Sequence, residues 1–264
     1  MSEIFGYIGA LLIGLILGLT GGGGSILTVP ILVYVLLINP VIATAYSLFI
    51  VGTTSAFGAT QNYLKGRVDV KIGIMFAIPS FIAVFLTRRY LLTMLPDEIL
   101  KVNGVVLTKD TFLMLFFALV MLFAAYSMLK KPKLNLKEIT QKKFISKLIM
   151  QNILIGVVIG LIGAGGGFLI IPSLVLFAKL PMKKAVGTSL FIITMNSLIG
   201  FLGDIHNPEL DWNFLMAFTS ISVVGIFLGI YLNKFINEKQ LKKGFGYFVL
   251  AMSCFILLKE FYFV

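Results

Sequence analysis

Charge is scarce in this 264-residue chain: Asp, Glu, Lys and Arg together make up 12% of it. An ordinary soluble domain carries about 25%. A soluble protein must still clothe its surface with polar groups, so a chain that is 59% hydrophobic has a different solvent in view. Cysteine occurs once, as Cys254, which excludes an internal disulfide and a Cys-based zinc site and reads as a small core residue. Histidine also occurs once, as His206, in the acidic stretch Asp204–Asp211, where it reads as a solvated loop residue. No Asp, Glu or His lies in any of the apolar blocks, so a Ser–His pair, paired intramembrane aspartates and H-E-x-x-H are all missing. There is no G-x-x-x-x-G-K-[ST] for nucleotide-driven transport. No enzyme activity, cofactor or metal is therefore expected.

Apolar blocks fill the rest of the chain. Residues 4–20, 24–38, 41–60, 72–87, 111–129, 148–163, 164–178, 185–203, 212–232 and 244–258 carry no ionisable Asp, Glu, Lys, Arg or His. Several approach the roughly 20 residues that span a bilayer core. Lipid offers backbone groups no partner, so only helices or a closed barrel can cross it. The runs are continuous rather than alternating, which excludes a barrel. The expected fold is all-α: a polytopic integral membrane protein with about 8 full transmembrane helices and 2 short or broken ones. The first block follows Met1-Ser2-Glu3, an acidic start with no cleavage signature, and reads as the first helix.

The sequence repeats itself. A shift of 142 positions aligns the two halves without a gap. Gly14, Gly18, Leu19, Gly21, Gly23, Gly24, Leu27 and Pro30 meet Gly156, Gly160, Leu161, Gly163, Gly165, Gly166, Leu169 and Pro172. Ala43 and Ser47-Leu48-Phe49-Ile50 meet Ala185 and Ser189-Leu190-Phe191-Ile192, and Ser55, Gly58 and Asp69 meet Ser197, Gly200 and Asp211. The halves are expected at 1–130 and 146–264, joined by a basic linker at 131–145.

The net charge of +11 follows from topology rather than nucleic acid, since the basic run Lys130–Lys147 holds a single aromatic residue, Phe144, too few for base stacking. With five crossings in each half, one side collects 17 of the 22 basic residues. If the short blocks dip in and return, the split becomes nearly even. The positive-inside rule favours five crossings, and an odd number per half makes the repeats inverted. The linker is then cytoplasmic, the termini lie outside, and the protein sits in the cell membrane.

The short blocks point to a site. Residues 24–38 make a helix of about 22 Å, shorter than the bilayer core. Each short block follows a glycine cluster, Gly21-Gly22-Gly23-Gly24 or Gly163-Ala164-Gly165-Gly166-Gly167. Glycine lets a chain turn and a ligand approach the backbone. A helix starting there presents free N–H groups and the positive end of its dipole, a setting for anions. Gly14/Gly18 and Gly156/Gly160 read instead as helix-packing surface. The candidate binding residues are those two clusters with the flanking Thr20 and Ser25, together with Ser47, Thr53, Thr54, Thr188, Ser189, Asn196 and Ser197. Ser55 and Thr194 share the same stretches. No Lys or Arg interrupts the blocks, so a small anion is expected to be held by backbone and hydroxyls, with Arg88, Arg89 or Lys65 at an entrance.

The duplicated glycine-rich turn, apolar run and proline, with the A-x-x-x-S-L-F echo, resemble the sulfite exporter TauE/SafE family across both halves. The resemblance implies a secondary carrier of sulfur-containing anions such as sulfite, sulfoacetate or other organosulfonates, coupled to a proton or sodium ion if to any. Family positions carry over only to residues 20–30 and 162–172. The stretch around 102–110 departs from a compact family member. An anion channel and a non-transporting structural membrane subunit are the competing classes.

Overall fold

The computed structural model describes residues 2–102, 105–129, 141–176, 178–205, 210–233, 235 and 238–263. Helices dominate: α1 (Ser2–Thr20), α2 (Ser25–Pro30), α3 (Pro40–Leu64), α4 (Val70–Leu86), α5 (Leu92–Met94), α6 (Lys109–Leu129), α7 (Gln141–Ile162), α8 (Gly167–Leu176), α9 (Met182–Phe201), α10 (Trp212–Leu232) and α11 (Glu238–Phe263). A π-helical turn at Ile31–Val35 prolongs α2, and another at Thr87–Leu91 joins α4 to α5. Among the described residues, five helical stretches are long and apolar enough to cross a membrane: Pro40–Leu64, Val70–Met94, Lys109–Ser127, Met182–Phe201 and Trp212–Leu232. Phe5–Thr20, Ser25–Val35 and Ile149–Ile162 are shorter apolar helices. Rows such as Ile74, Ile78 and Ile82 on α4, or Val224, Phe227 and Leu228 on α10, turn outward as lipid-facing surface requires.

Three features differ from the sequence reading. The fold is all-helical as expected but carries a short hairpin, in which β1 (Glu98–Val102) and β2 (Val105–Thr108) pair antiparallel, with Val102 opposite Val105. Asn-Gly between two runs rich in β-branched residues is a strong hairpin signal. Cys254 faces outward on α11 rather than into the core. Arg88 does not end a helix at an entrance, because Val70–Met94 continues through it as one apolar rod. Arg89, by contrast, is exposed, as is Lys65 at the C-cap of α3. His206 and most of the basic linker lie outside the described residues.

The short helices end alike. Leu37 and Lys179 both adopt a left-handed conformation, φ 56° and 54°. The next amides, of Ile38 and Leu180, reach back to the carbonyls of Leu32 and Leu174 at 3.0 and 3.2 Å. A left-handed residue followed by this back-bond closes each helix C-terminus, in a loop one residue wider than the Schellman motif. The N-termini of α4 and α10 are likewise capped by matching aspartates: Asp69 accepts from the Ile72 amide, and Asp211 from those of Asn213 and Phe214.

Packing follows the same 142-residue register. The helix α1 lies against α10, and its counterpart α7 against α4. A Cβ on Gly14 would strike the Ser222 carbonyl, and one on Gly156 the Ser80 carbonyl. Gly18 meets the Ile226 carbonyl at the matching place where Gly160 meets that of Val84. Gly58 contacts Ile226 and Leu190, while Gly200 contacts Val84 and Leu48. Each pair differs by 142 positions and exchanges the halves. Missing side chains here let backbones approach closely. At the centre, α3 packs on α9. These two are the most enclosed spans, with 67% and 61% of their apolar stretch buried against 39% to 44% for the other three.

Candidate functional site

Both glycine clusters are fully buried turns that stop one helix and start the next. Gly21 and Gly163 take left-handed conformations, φ 74° and 72°, and their amides close α1 and α7 on the Leu17 and Ile159 carbonyls. Gly165 and Gly166 are left-handed too, at φ 62° and 74°. An L side chain in this region costs about 1–2 kcal/mol. The two turns touch: a Cβ on Gly22 would lie 2.6 Å from the Gly167 Cα. Only glycine on both sides permits that approach.

Gly165 sits over the α3–α9 crossing. Its Cβ would lie 2.7 Å from Val51 and 3.2 Å from both Ile193 and the Ser197 hydroxyl. Val51 and Ile193 are themselves 142 positions apart, so the second turn rests where the matching helices meet.

The candidate polar residues divide into two groups. One group is structural. Thr20 accepts from the Gly23 amide at 2.8 Å and donates to the Ile16 carbonyl. Ser25 donates to the Gly22 carbonyl and Ser189 to that of Gly21, pinning the first turn from both halves. Thr188 accepts from the Asp69 amide at 2.9 Å. In the second group are buried polar atoms without a partner: the hydroxyls of Ser47, Thr54, Ser55 and Ser197 and the side-chain carbonyl of Asn196. Asn196 donates from Nδ2 to the Ser80 hydroxyl at 2.7 Å. Thr53 is half-buried and outside this group, and Ala164 is buried at its turn. Gly23 and Gly166 have amides already committed to Thr20 and to the Ala164 carbonyl, and Gly24 packs against Leu17.

Not every backbone amide of the clusters is thus on offer, contrary to the simplest anion-cradle picture. The unsatisfied donors are instead mainly hydroxyls on α3 and α9. An unpartnered buried polar atom costs about 1–3 kcal/mol. Each such atom calls for a partner, which an ordered water or a ligand can supply. A concavity of about 370 Å³ lies elsewhere, between Ala56, Phe57, Thr60, Gln61, Leu64 and Phe227, and none of the cluster glycines lines it.

Three residues, Arg88, Asp204 and Thr44, form a buried cluster that the sequence reading did not bring together. Arg88 is 1% exposed in the π turn, with its Nε on Asp204 Oδ2 at 2.5 Å and its Nη1 on Thr44 Oγ1 at 2.9 Å. Thr44 is the residue on which Gly163 packs. The available signal was that position 88, two residues past Leu86, matches Ile230, an apolar residue inside a span.

Known proteins bear on this geometry. A probable membrane transporter protein of Xylella fastidiosa (strain 9a5c) is 30% identical over 94% of this chain and 92% of its own length. The probable membrane transporter protein YdhB of Bacillus subtilis is 26% identical over 88% of this chain and 91% of its own. MJ0441 of Methanocaldococcus jannaschii, also named a probable membrane transporter protein, is 34% identical over 41% of the chain. No solved structure matches. The model of the sulfite exporter TauE/SafE family matches residues 7–256, nearly the whole sequence including both glycine turns. With its apolar helices and duplicated turns, the chain belongs to the sulfite exporter TauE/SafE family of membrane transporters.

Proposed function

We propose that this chain is a secondary carrier of small sulfur-containing anions, sulfite, sulfoacetate or other organosulfonates, bound where the two glycine turns meet α3 and α9. The observation that carries the reading is the set of partnerless buried hydroxyls, Ser47, Thr54, Ser55 and Ser197, in the helices beneath those turns. Oxyanions accept several hydrogen bonds at once, and hydroxyls with helix N-termini supply them. The close contact of Gly22 with Gly167 favours a carrier over an open anion channel, since a continuous pore has no place for it. The family's name, sulfite exporter, supports the substrate class.

The membrane arrangement that fits best is two inverted halves, 1–130 and 146–264, each with five crossings, eight full and two short in all. Reciprocal packing in the 142-residue register and the basic-residue asymmetry support it. The basic linker 131–145 faces the cytoplasm and both termini face outward across the cell membrane. Cysteine labelling from either side, in a Cys254→Ser background, checks this; both termini in the cytoplasm would overturn it.

The decisive assay is uptake by proteoliposomes of labelled sulfite, sulfoacetate and other sulfonates, with sulfate, chloride and acetate for comparison. Saturable uptake of a sulfur anion, accelerated by an imposed proton or sodium gradient, is expected. Flux rising linearly with concentration would mean a channel, and no flux of any sulfur anion would end the substrate assignment.

A further inference from the structure

We infer that Arg88 binds the transported anion directly, through the Nη2 edge of its guanidinium; the inference rests on the anion-carrier reading above. Three observations converge on this side chain. The first is its hydrogen bonding. Nε is held by Asp204, and Nη1 by Thr44 and, at 3.4 Å, by the Gly160 carbonyl. Nη2 is buried with no partner at all. A desolvated guanidinium with an unpaired N–H₂ is costly, and one more acceptor completes it. The planar fork of arginine matches oxyanions.

The second is location. Thr44 links the guanidinium to the Gly163 turn, whose Cβ position falls 2.6 Å from Thr44 Cβ. Gly160, the other acceptor, lies in the last turn of α7 before that same glycine. Arg88 itself occupies a π-helical turn. Such turns frequently mark functional positions inside helices. The side chain therefore stands at the second glycine turn and not at a distant surface.

The third is asymmetry. The matching positions in the other half are Ile230 for Arg88, Val186 for Thr44 and Asn62 for Asp204. Ile230 is buried and packs at Gly18 as the Arg88 region packs at Gly160. The fold thus fills this place with an apolar residue when packing is all that is asked. A buried Arg88–Asp204 ion pair stands in one copy, and Ile230 and Asn62 hold its places in the other. Asp204 neutralises the guanidinium overall while leaving a donor edge, which binds an anion and still releases it. Nη2 is buried, so an anion reaches it only once the groups around it move aside.

The test is calorimetric binding of sulfite to purified full-length protein in nanodiscs, with sulfoacetate, phosphate, acetate and chloride as further probes. Arg88→Ile with Asp204→Asn copies the matching pair and removes both charges together. This double variant is expected to melt near the wild type and to bind sulfite weaker by about tenfold to a hundredfold. Arg88→Lys keeps the charge and loses the fork, and is expected to weaken binding about tenfold. It decides the matter should the double variant fail to fold. Unchanged sulfite affinity in the folded double variant, or in Arg88→Lys if only that folds, overturns the inference and leaves the carrier reading intact. Arg88-dependent binding of phosphate or acetate without any sulfur anion keeps the inference and ends the substrate assignment. A wild type that binds no probe ends both.

Discussion

The first glycine turn packs its Gly21 on Val186, and the second packs its Gly163 on Thr44. Those partners are 142 positions apart, so the scaffold is the same in both places. The chemistry is not. Around the first turn, Thr20, Ser25 and Ser189 spend their hydroxyls on turn backbone. Around the second, Thr44 is bonded to a buried arginine, and Ser197 has no partner. One turn is locked from inside the chain, while the other leaves donors over. The two turns share a frame of glycine contacts and differ in the polar residues set on it.

The contact between the turns offers the harshest way to break this comparison. Gly167→Val places a branched side chain against the Gly22 backbone. Overpacking of this kind costs about 1–3 kcal/mol or more. We expect lost uptake together with a lowered melting temperature; wild-type flux in this variant would show that the turns separate without consequence. Gly165→Val should do less to stability and as much to function. Its φ of 62° carries strain of about 1–2 kcal/mol for any L side chain. The added atoms fill the space beside the Ser197 hydroxyl. Inserted, folded protein without anion uptake is the expected result, read by flux and by gel filtration in detergent. A folded variant with normal uptake would place the site away from this turn.

The matched pair Thr54 and Asn196 sharpens the comparison further. Asn196→Ala removes the bond to Ser80 and leaves that hydroxyl buried, which should destabilise by about 1–3 kcal/mol. Thr54→Val removes a hydroxyl that has no partner in the protein. Its stability should be unchanged or slightly higher, yet its anion affinity should fall by about 0.5–1.5 kcal/mol. Chemical denaturation and binding on the same samples separate the two effects, and equal affinity in Thr54→Val would remove this hydroxyl from the site. The smallest effect belongs to Lys137→Gln and Lys142→Gln. Charges that mark topology should change affinity by no more than about 0.5 kcal/mol. A larger loss there than in the glycine variants would move the binding region to the linker face.

By itself the sequence determined the helices, the repeat and the two glycine turns. In lipid each backbone group finds its partner within its own helix, so spans are encoded locally and appear as uninterrupted apolar runs. The turns are equally local, because left-handed positions such as Gly21 and Gly163 call for glycine wherever they fall. Even the division of Gly14/Gly18 from the clusters, packing surface against chain reversal, was legible in spacing alone. Only the tertiary structure decided which hydroxyls are used and which are left over. Ser189 looked like Ser197 along the chain, but it reaches a carbonyl of the opposite half 168 positions away. Arg88 was hidden for the same reason. It stands at the edge of an apolar block, where local reasoning puts a solvated charge. Its partner Asp204 is 116 residues distant, and the π turn that carries it inward becomes visible only once α4 packs on α7 and α9. Burial of a charge is a property of neighbours, and neighbours this far apart in sequence are chosen by the fold.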